Sequence, residues 1–197
     1  MLRVFEIVLT CILLVIFSPV MLLIVLSILI DTGLPLLYLS PRIGKDAKPF
    51  NLYYFRTMVD GSNPHDEQLT RVGRFLRHYS LDHLAQLFNL LKGDMHFVGP
   101  RPMRPEQADL TDSMYQETLK VKPGVFSPAI IALGKTYNAS PFDTKIELEK
   151  DYLDQRTPAK DVRFVGDALS AFAKSRGNVK MHGKPRVDIP ASTTDDD

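Results

Sequence analysis

The chain has 197 residues, enough for one modest domain with an appendage or for two small ones. Its 24 lysines and arginines nearly balance 23 aspartates and glutamates, so bulk charge gives no reason to expect nucleic acid or another polyanion as partner. The single cysteine, Cys11, excludes an internal disulfide and any metal site built on several cysteines, and in its apolar run it reads as a small hydrophobe.

Residues 4–30 are almost all apolar, interrupted by Glu6, Thr10, Ser18, Pro19 and Ser27. A helix of that length would reach about 40 Å, more than a hydrocarbon core of about 30 Å. A cleaved signal peptide fits poorly: Arg3 is the one early cation, Glu6 follows it, the run is long, and no small-x-small site ends it. Residues 1–32 are therefore expected to be a membrane-embedded helix carrying a domain over 33–182. Proline removes a helical hydrogen bond, so a break or kink is expected at Ser18–Pro19. Two half-helices entering and leaving one leaflet, or one kinked helix that spans, satisfy this equally. Arg42, Lys45 and Lys48 follow the run and favour a cytoplasmic domain.

Beyond the apolar run, Gly33 and Pro35 mark a turn, residues 34–39 are a second apolar stretch, and Pro41, Gly44 and Pro49 punctuate a basic loop. FNLYYFRTM, residues 50–58, has the aromatic content of a strand. GSNPHDE, residues 61–67, is a loop whose His65 and Asp66 read as solvated rather than metal-binding. Residues 69–79 have helical spacing, with Arg71, Arg74 and Arg77 along one face.

Ser80 is a candidate N-cap for a helix that buries Leu81, Leu84, Ala85, Leu87, Phe88 and Leu91 and stops at Gly93. Asp82 and His83 then fall in its first turn. By itself Asp82 could simply complement the helix dipole. Between Arg77 and Arg101, with Arg101 held in the rigid VGPRP loop of residues 98–102, it also makes a plausible place to handle phosphate. Further helices are expected over residues 105–120, 146–153 and 164–174, with a turn-rich loop at 122–128 and a polar, disordered tail over 183–197. The fold class expected is mainly α with a small β element. It comprises an N-terminal re-entrant helix broken at Ser18–Pro19 and a compact cytoplasmic α/β domain with amphipathic helices lying on its surface.

These motifs in this order resemble the bacterial sugar transferase family, the monotopic phosphoglycosyl transferases. PRIGKDAKPF is similar to the family's R-x-G-K-x-G-K-P-F loop, FRTM to its KFRTM, and LTRVGRFLRHYSLD and QLFNLLKGDMHFVGPRP to its consensus. The resemblance implies transfer of a sugar-1-phosphate from a UDP-sugar to a polyprenol phosphate such as undecaprenyl phosphate. UMP would leave, in a first membrane step of exopolysaccharide or glycoconjugate assembly. It implies Asp82 as nucleophile, forming an aspartyl–phosphosugar, and Arg77, Arg101 and Arg56 around the phosphates. It also implies Mg2+, membrane lipid and other glycan-assembly enzymes as partners.

The sequence departs from the family at one telling position: L-D-E-L-P-Q-L reads L-D-H-L-A-Q-L. His83 replaces the glutamate that the family sets beside its nucleophile to help hold magnesium, and magnesium binds imidazole poorly. Another acid, with Asp94 a candidate, would have to serve, or the protein is a non-catalytic scaffold or donor-binding relative. The half after residue 122 drifts further, PGITGW appearing as Pro123-Gly124-Val125-Phe126-Ser127-Pro128, which leaves the sugar donor open.

Overall fold

The computed structural model describes residues 2–60 and 67–174. His65 and Asp66 of the GSNPHDE loop, and the tail over 183–197, lie outside the described residues. The described part is mostly helical, with three small two-stranded sheets.

Helix α1 runs Leu2–Thr32 and is long and apolar enough to cross a membrane. A hairpin of β1 (Leu37–Ile43) and β2 (Pro49–Phe55) follows, antiparallel from Leu37↔Phe55 to Ile43↔Pro49. β3 (Met58–Asp60) pairs antiparallel with β4 (Glu67–Leu69). Helix α2 (Arg71–His78) starts at Thr70, whose hydroxyl accepts the Gly73 N–H at 2.8 Å. A 3₁₀ turn, Leu81–Gln86, leads into α3 (Leu87–Lys92). β5 (His96–Val98) and β6 (Gly124–Phe126) form a parallel pair, with α4 (Ser113–Thr118) between them in sequence. The chain ends in α5 (Pro128–Leu133), α6 (Phe142–Asp154) and α7 (Pro158–Lys174).

Four expectations need correcting. The helix does not stop at Ser18–Pro19. Pro19 cannot donate to Val15 O, but the Ser18 hydroxyl donates to that carbonyl at 2.8 Å and α1 continues. Ser80 is not a side-chain cap. It sits in the left-handed region at φ 55 and makes no capping bond, and the turn after it is 3₁₀. Residues 105–120 are not one helix, because Asp109 closes a turn on Thr111 and Asp112 caps a new start at Tyr115 N. The 122–128 stretch holds a strand, β6, where a loop was expected. Gly93 ends α3 as expected, at φ 89 with its N–H on Asn89 O at 2.9 Å.

A single stripe of α1 faces the domain along the helix. Glu6, Thr10, Met21, Ile24 and Ile28 are buried, and Leu13, Leu14 and Phe17 fill the interval. These recur every three or four residues, which keeps them on one side. The other faces expose Val4, Val8, Ile12, Val15, Leu22, Leu26 and Ile30.

Polar bonds fix both ends of α1 to the same domain. Both Glu6 oxygens lie 2.8 Å from His96 Nδ1, and Arg3, 3.8 Å from Glu6, donates to Leu91 O at 3.0 Å. At the other end the Arg56 guanidinium donates to Thr32 O at 3.0 Å, Gly33 O at 2.8 Å and Leu34 O at 3.1 Å. An acid in so apolar a helix is costly unless paired, and here it is paired with the domain.

Two glycines permit close contacts that position the loops. A Cβ at Gly73 would lie 2.0 Å from Thr57 O, and one at Gly124 would lie 2.0 Å from Gly99 N. The first contact sets α2 against the end of β2. The second sets β6 against the VGPRP loop.

Candidate active site

Asp82 sits in the 3₁₀ turn between α2 and α3. Leu81, Leu84 and Ala85 anchor that turn in the cluster formed with Met21, Ile24 and Ile28 of α1. Asn89, fully buried in α3, locks the helix to β2: its side chain accepts the Tyr53 N–H at 2.9 Å and donates to Asn51 O at 2.8 Å. The Asp82 carboxylate is thereby held in place, 8% exposed, with Oδ1 buried and without a hydrogen-bond partner. A buried oxygen left unpaired costs about 1–3 kcal/mol, more when charged, so the position favours whatever cation or donor reaches it.

His83 stands edge-on to Tyr54 of β2, with ring centroids 5.1 Å apart at 77°. Its Nδ1 is 3.0 Å from Gln86 Nε2. An amide nitrogen donates, so Nδ1 accepts and the ring proton falls on Nε2. Solvent reaches the outer side of the ring, yet the protein crowded around the rest lowers its pKa below the usual imidazole value. The Asp82 charge opposes that shift, and Arg101 reinforces it. His83 is thus held toward the neutral form, which suits neither a phosphate-pairing cation nor a magnesium ligand.

Arg101 does not stand alone. Arg42 of β1, 6% exposed, lies within electrostatic range of both Arg101 and Arg104. Burial lowers the Arg42 pKa first, the two like charges add to this, and Tyr54 and Tyr38 oppose it. Arg42 donates to Pro102 O at 3.3 Å, while its Nε has no partner. None of the three guanidiniums forms a salt bridge among the described residues. Three such cations, none of them in a salt bridge, give this neighbourhood a positive potential that suits an anion.

Glu149 of α6 sets the loop that carries Arg101. It is 2% exposed, and its Oε1 accepts the Arg101 backbone N–H at 3.1 Å together with the Ser127 hydroxyl. Burial raises its pKa to about 7, against the lowering effect of Ser127, Arg101 and Ala129. Its Oε2 has no partner. The Arg101 guanidinium lies over the Tyr137 ring at 4.9 Å from the centroid, and Lys145 lies 4.8 Å from the same ring.

The structure sets His83 within electrostatic range of both Asp82 and Arg101. It places the other sequence candidates elsewhere or turns them to other partners. Arg77 donates to Thr57 Oγ1 at 2.9 Å and contacts Met58 Sδ at 2.9 Å. Arg56 binds the carbonyls at the end of α1. Asp94 accepts from Asn89 at 3.0 Å and lies 3.5 Å from Lys92. Ser18 and Pro19 lie midway along α1. Among the described residues no three His, Cys, Asp or Glu side chains gather to hold a metal ion.

Sequence reasoning missed Arg42, Arg104, Tyr137 and Glu149 as parts of this neighbourhood. Arg42 counted only as flanking charge. For Glu149 a faint signal existed, because in the pattern Ile146, Glu149 it shares the buried face of its own helix.

A helix long and apolar enough to cross a membrane thus packs on a domain that holds a buried carboxylate and a cluster of arginines. The sequence places the chain more closely. The bacterial sugar transferase family model matches residues 1–175, and the chain belongs to that family. It is 36% identical over 147 residues to the UDP-N-acetylgalactosamine-undecaprenyl-phosphate N-acetylgalactosaminephosphotransferase of Aeromonas hydrophila, covering 69% of this chain and 34% of that protein. It is 32% identical over 173 residues to the UDP-glucose:undecaprenyl-phosphate glucose-1-phosphate transferase of Escherichia coli, covering 81% and 37%. An uncharacterized sugar transferase of Bacillus subtilis, EpsL, is 35% identical over 158 residues, covering 77% of each chain. The chain thus spans about a third of the two named phosphotransferases and most of the shorter relative.

Proposed function

We propose that the protein is a phosphoglycosyl transferase that moves a sugar-1-phosphate from a UDP-sugar to undecaprenyl phosphate. The observation that carries this reading is the buried, unpartnered Asp82 oxygen next to His83, which feels the charges of both Asp82 and Arg101, with Arg42 and Arg104 clustered around Arg101's side of the site. The Asp82 carboxylate attacks the sugar-linked phosphorus, a P–O bond forms to Asp82, and the bond to UMP breaks. The polyprenol phosphate oxygen then attacks the same phosphorus and frees Asp82. The arginines offset the phosphoryl oxygens through both steps, and Glu149 fixes the backbone from which Arg101 extends.

Magnesium, which the family resemblance implies, would arrive with the donor diphosphate, because no acidic cage stands ready among the described residues. The free Asp82 oxygen is the protein ligand such an ion would meet. The domain is placed on the cytoplasmic face, which the cations Arg42, Lys45 and Lys48 after the apolar run favour.

Purified protein in detergent, given UDP-sugars, undecaprenyl phosphate and a divalent cation, is expected to release UMP, and Asp82→Asn to abolish the release. Absence of release with every donor and ion refutes the reading. It would favour the second one, a non-catalytic donor-binding relative, for which the neutral His83 beside Asp82 is the motive. In that case His83→Glu is expected to restore turnover.

A further inference from the structure

A cavity of about 500 Å³ lies between the second half of α1 and α2. Leu23 and Ile24 of α1 form one wall, and Phe75 and Leu76 of α2 the other. Leu81 lines it as well, immediately before Asp82 in the chain. At the opposite end of α2 it reaches Arg71, whose neighbour Val72 donates its N–H to Asp31 Oδ2 at 3.3 Å. Leu23 and Phe75 are more than half exposed, so the cavity is a groove open along its outer side. Its size is that of a ligand pocket.

We infer that this groove seats the first isoprene units of the polyprenol phosphate acceptor, with the phosphate end at Leu81. The inference rests on the transferase reading and adds the place where the acceptor lies. Three observations support it. One wall is the membrane-length helix whose other faces expose apolar residues, so, with α1 in the lipid, a chain can enter sideways without crossing water. The lining is aliphatic and aromatic apart from Ser27 and Arg71, so it takes an apolar chain and gives little to a sugar or nucleotide. Leu81, at one end of the groove, immediately precedes Asp82 in the same 3₁₀ turn, so a phosphate held past that end is one residue along the chain from the carboxylate that would carry the phosphosugar. The groove holds only the start of a long chain, and the rest stays among the lipids.

The test uses the full chain in nanodiscs of phosphatidylethanolamine and phosphatidylglycerol with a polyprenyl phosphate that carries a diazirine near its phosphate end. Crosslinks are expected on peptides of α1 around Leu23 and of α2 around Phe75, and undecaprenyl phosphate should displace them. Crosslinks confined to other segments overturn the inference. So does equal displacement by added phosphatidylglycerol, which would make this a phospholipid groove. In a transfer assay Leu23→Trp, which fills the groove from its open side, is expected to raise the acceptor KM at least tenfold while shifting the donor KM less than twofold. Equal effects on the two substrates count against it. The crosslinks report on the groove even if no donor supports UMP release, so failure of the transferase reading and failure of this inference are separable.

Discussion

Glu149→Gln isolates the electrostatic cost built into the site. In the folded protein Glu149 ionises near pH 7, against an ordinary value of 4.5, chiefly because burial disfavours the carboxylate. That rise corresponds to about 3 kcal/mol at about 1.4 kcal/mol per pH unit. A raised folded pKa means that the native state keeps a proton the unfolded chain has lost. The stabilising contribution is therefore complete below about pH 4.5 and disappears as pH rises through about 7.

Glutamine keeps an oxygen for the Arg101 N–H and Ser127 but cannot ionise. Any cost of seating its amide N–H groups where the unpartnered Oε2 now lies, about 1–3 kcal/mol if they find no acceptor, does not vary with pH. Guanidinium unfolding in detergent, followed by far-ultraviolet circular dichroism, is run on both proteins at about pH 4.5 and about pH 8. The difference in unfolding free energy should move in favour of the variant by about 3 kcal/mol over that interval. A difference that stays constant with pH refutes the reasoning, whatever its absolute size.

Three further outcomes are expected. Gly73→Ala forces a methyl into Thr57 O and should destabilise by about 1–3 kcal/mol or more, seen as a lower midpoint in the same unfolding assay. Arg56→Ala removes the donors that bind the end of α1 and should cost about 1.5–3 kcal/mol; proteolysis near Gly33 should rise with it. The His83 imidazole should titrate below its ordinary value by NMR, and still lower in Asp82→Asn, because the Asp82 charge supports the protonated ring. Since this folded pKa is lowered, the His83 contribution to stability is present above the ordinary imidazole pKa and is lost as pH falls through the folded value. A higher titration point in Asp82→Asn would show that the two groups are not close neighbours in solution.

Local chemistry made some elements readable in advance. The apolar run of residues 4–30 dictates a membrane-length helix, and Gly93 ends α3 because glycine tolerates the left-handed backbone there. The strand through Tyr53 and Tyr54 follows from its aromatic content. Other features escaped because distant partners decide them. β5 and β6 are three residues each, too short to show a period, and exist by pairing with one another across the α4 segment. Pro19 signals a break, but a single serine hydroxyl takes up the carbonyl it frees.

The same division runs through the site. The sequence by itself singled out the candidate chemistry: a near-consensus segment with Asp82 in the first turn of a helix, Arg101 in a rigid loop, and histidine where the family carries glutamate. Those are properties of adjacent residues, and spacing along the chain suffices to read them. Only the tertiary structure decided which groups gather around Arg101. It turned Arg77 toward Thr57 and Arg56 toward the end of α1, and it brought Arg42 from β1 and Glu149 from α6 to the loop of Arg101. The physical reason is that a guanidinium goes to whichever oxygen or charge the packed fold places within reach, and residues separated by most of the chain meet only after the apolar faces between them are buried.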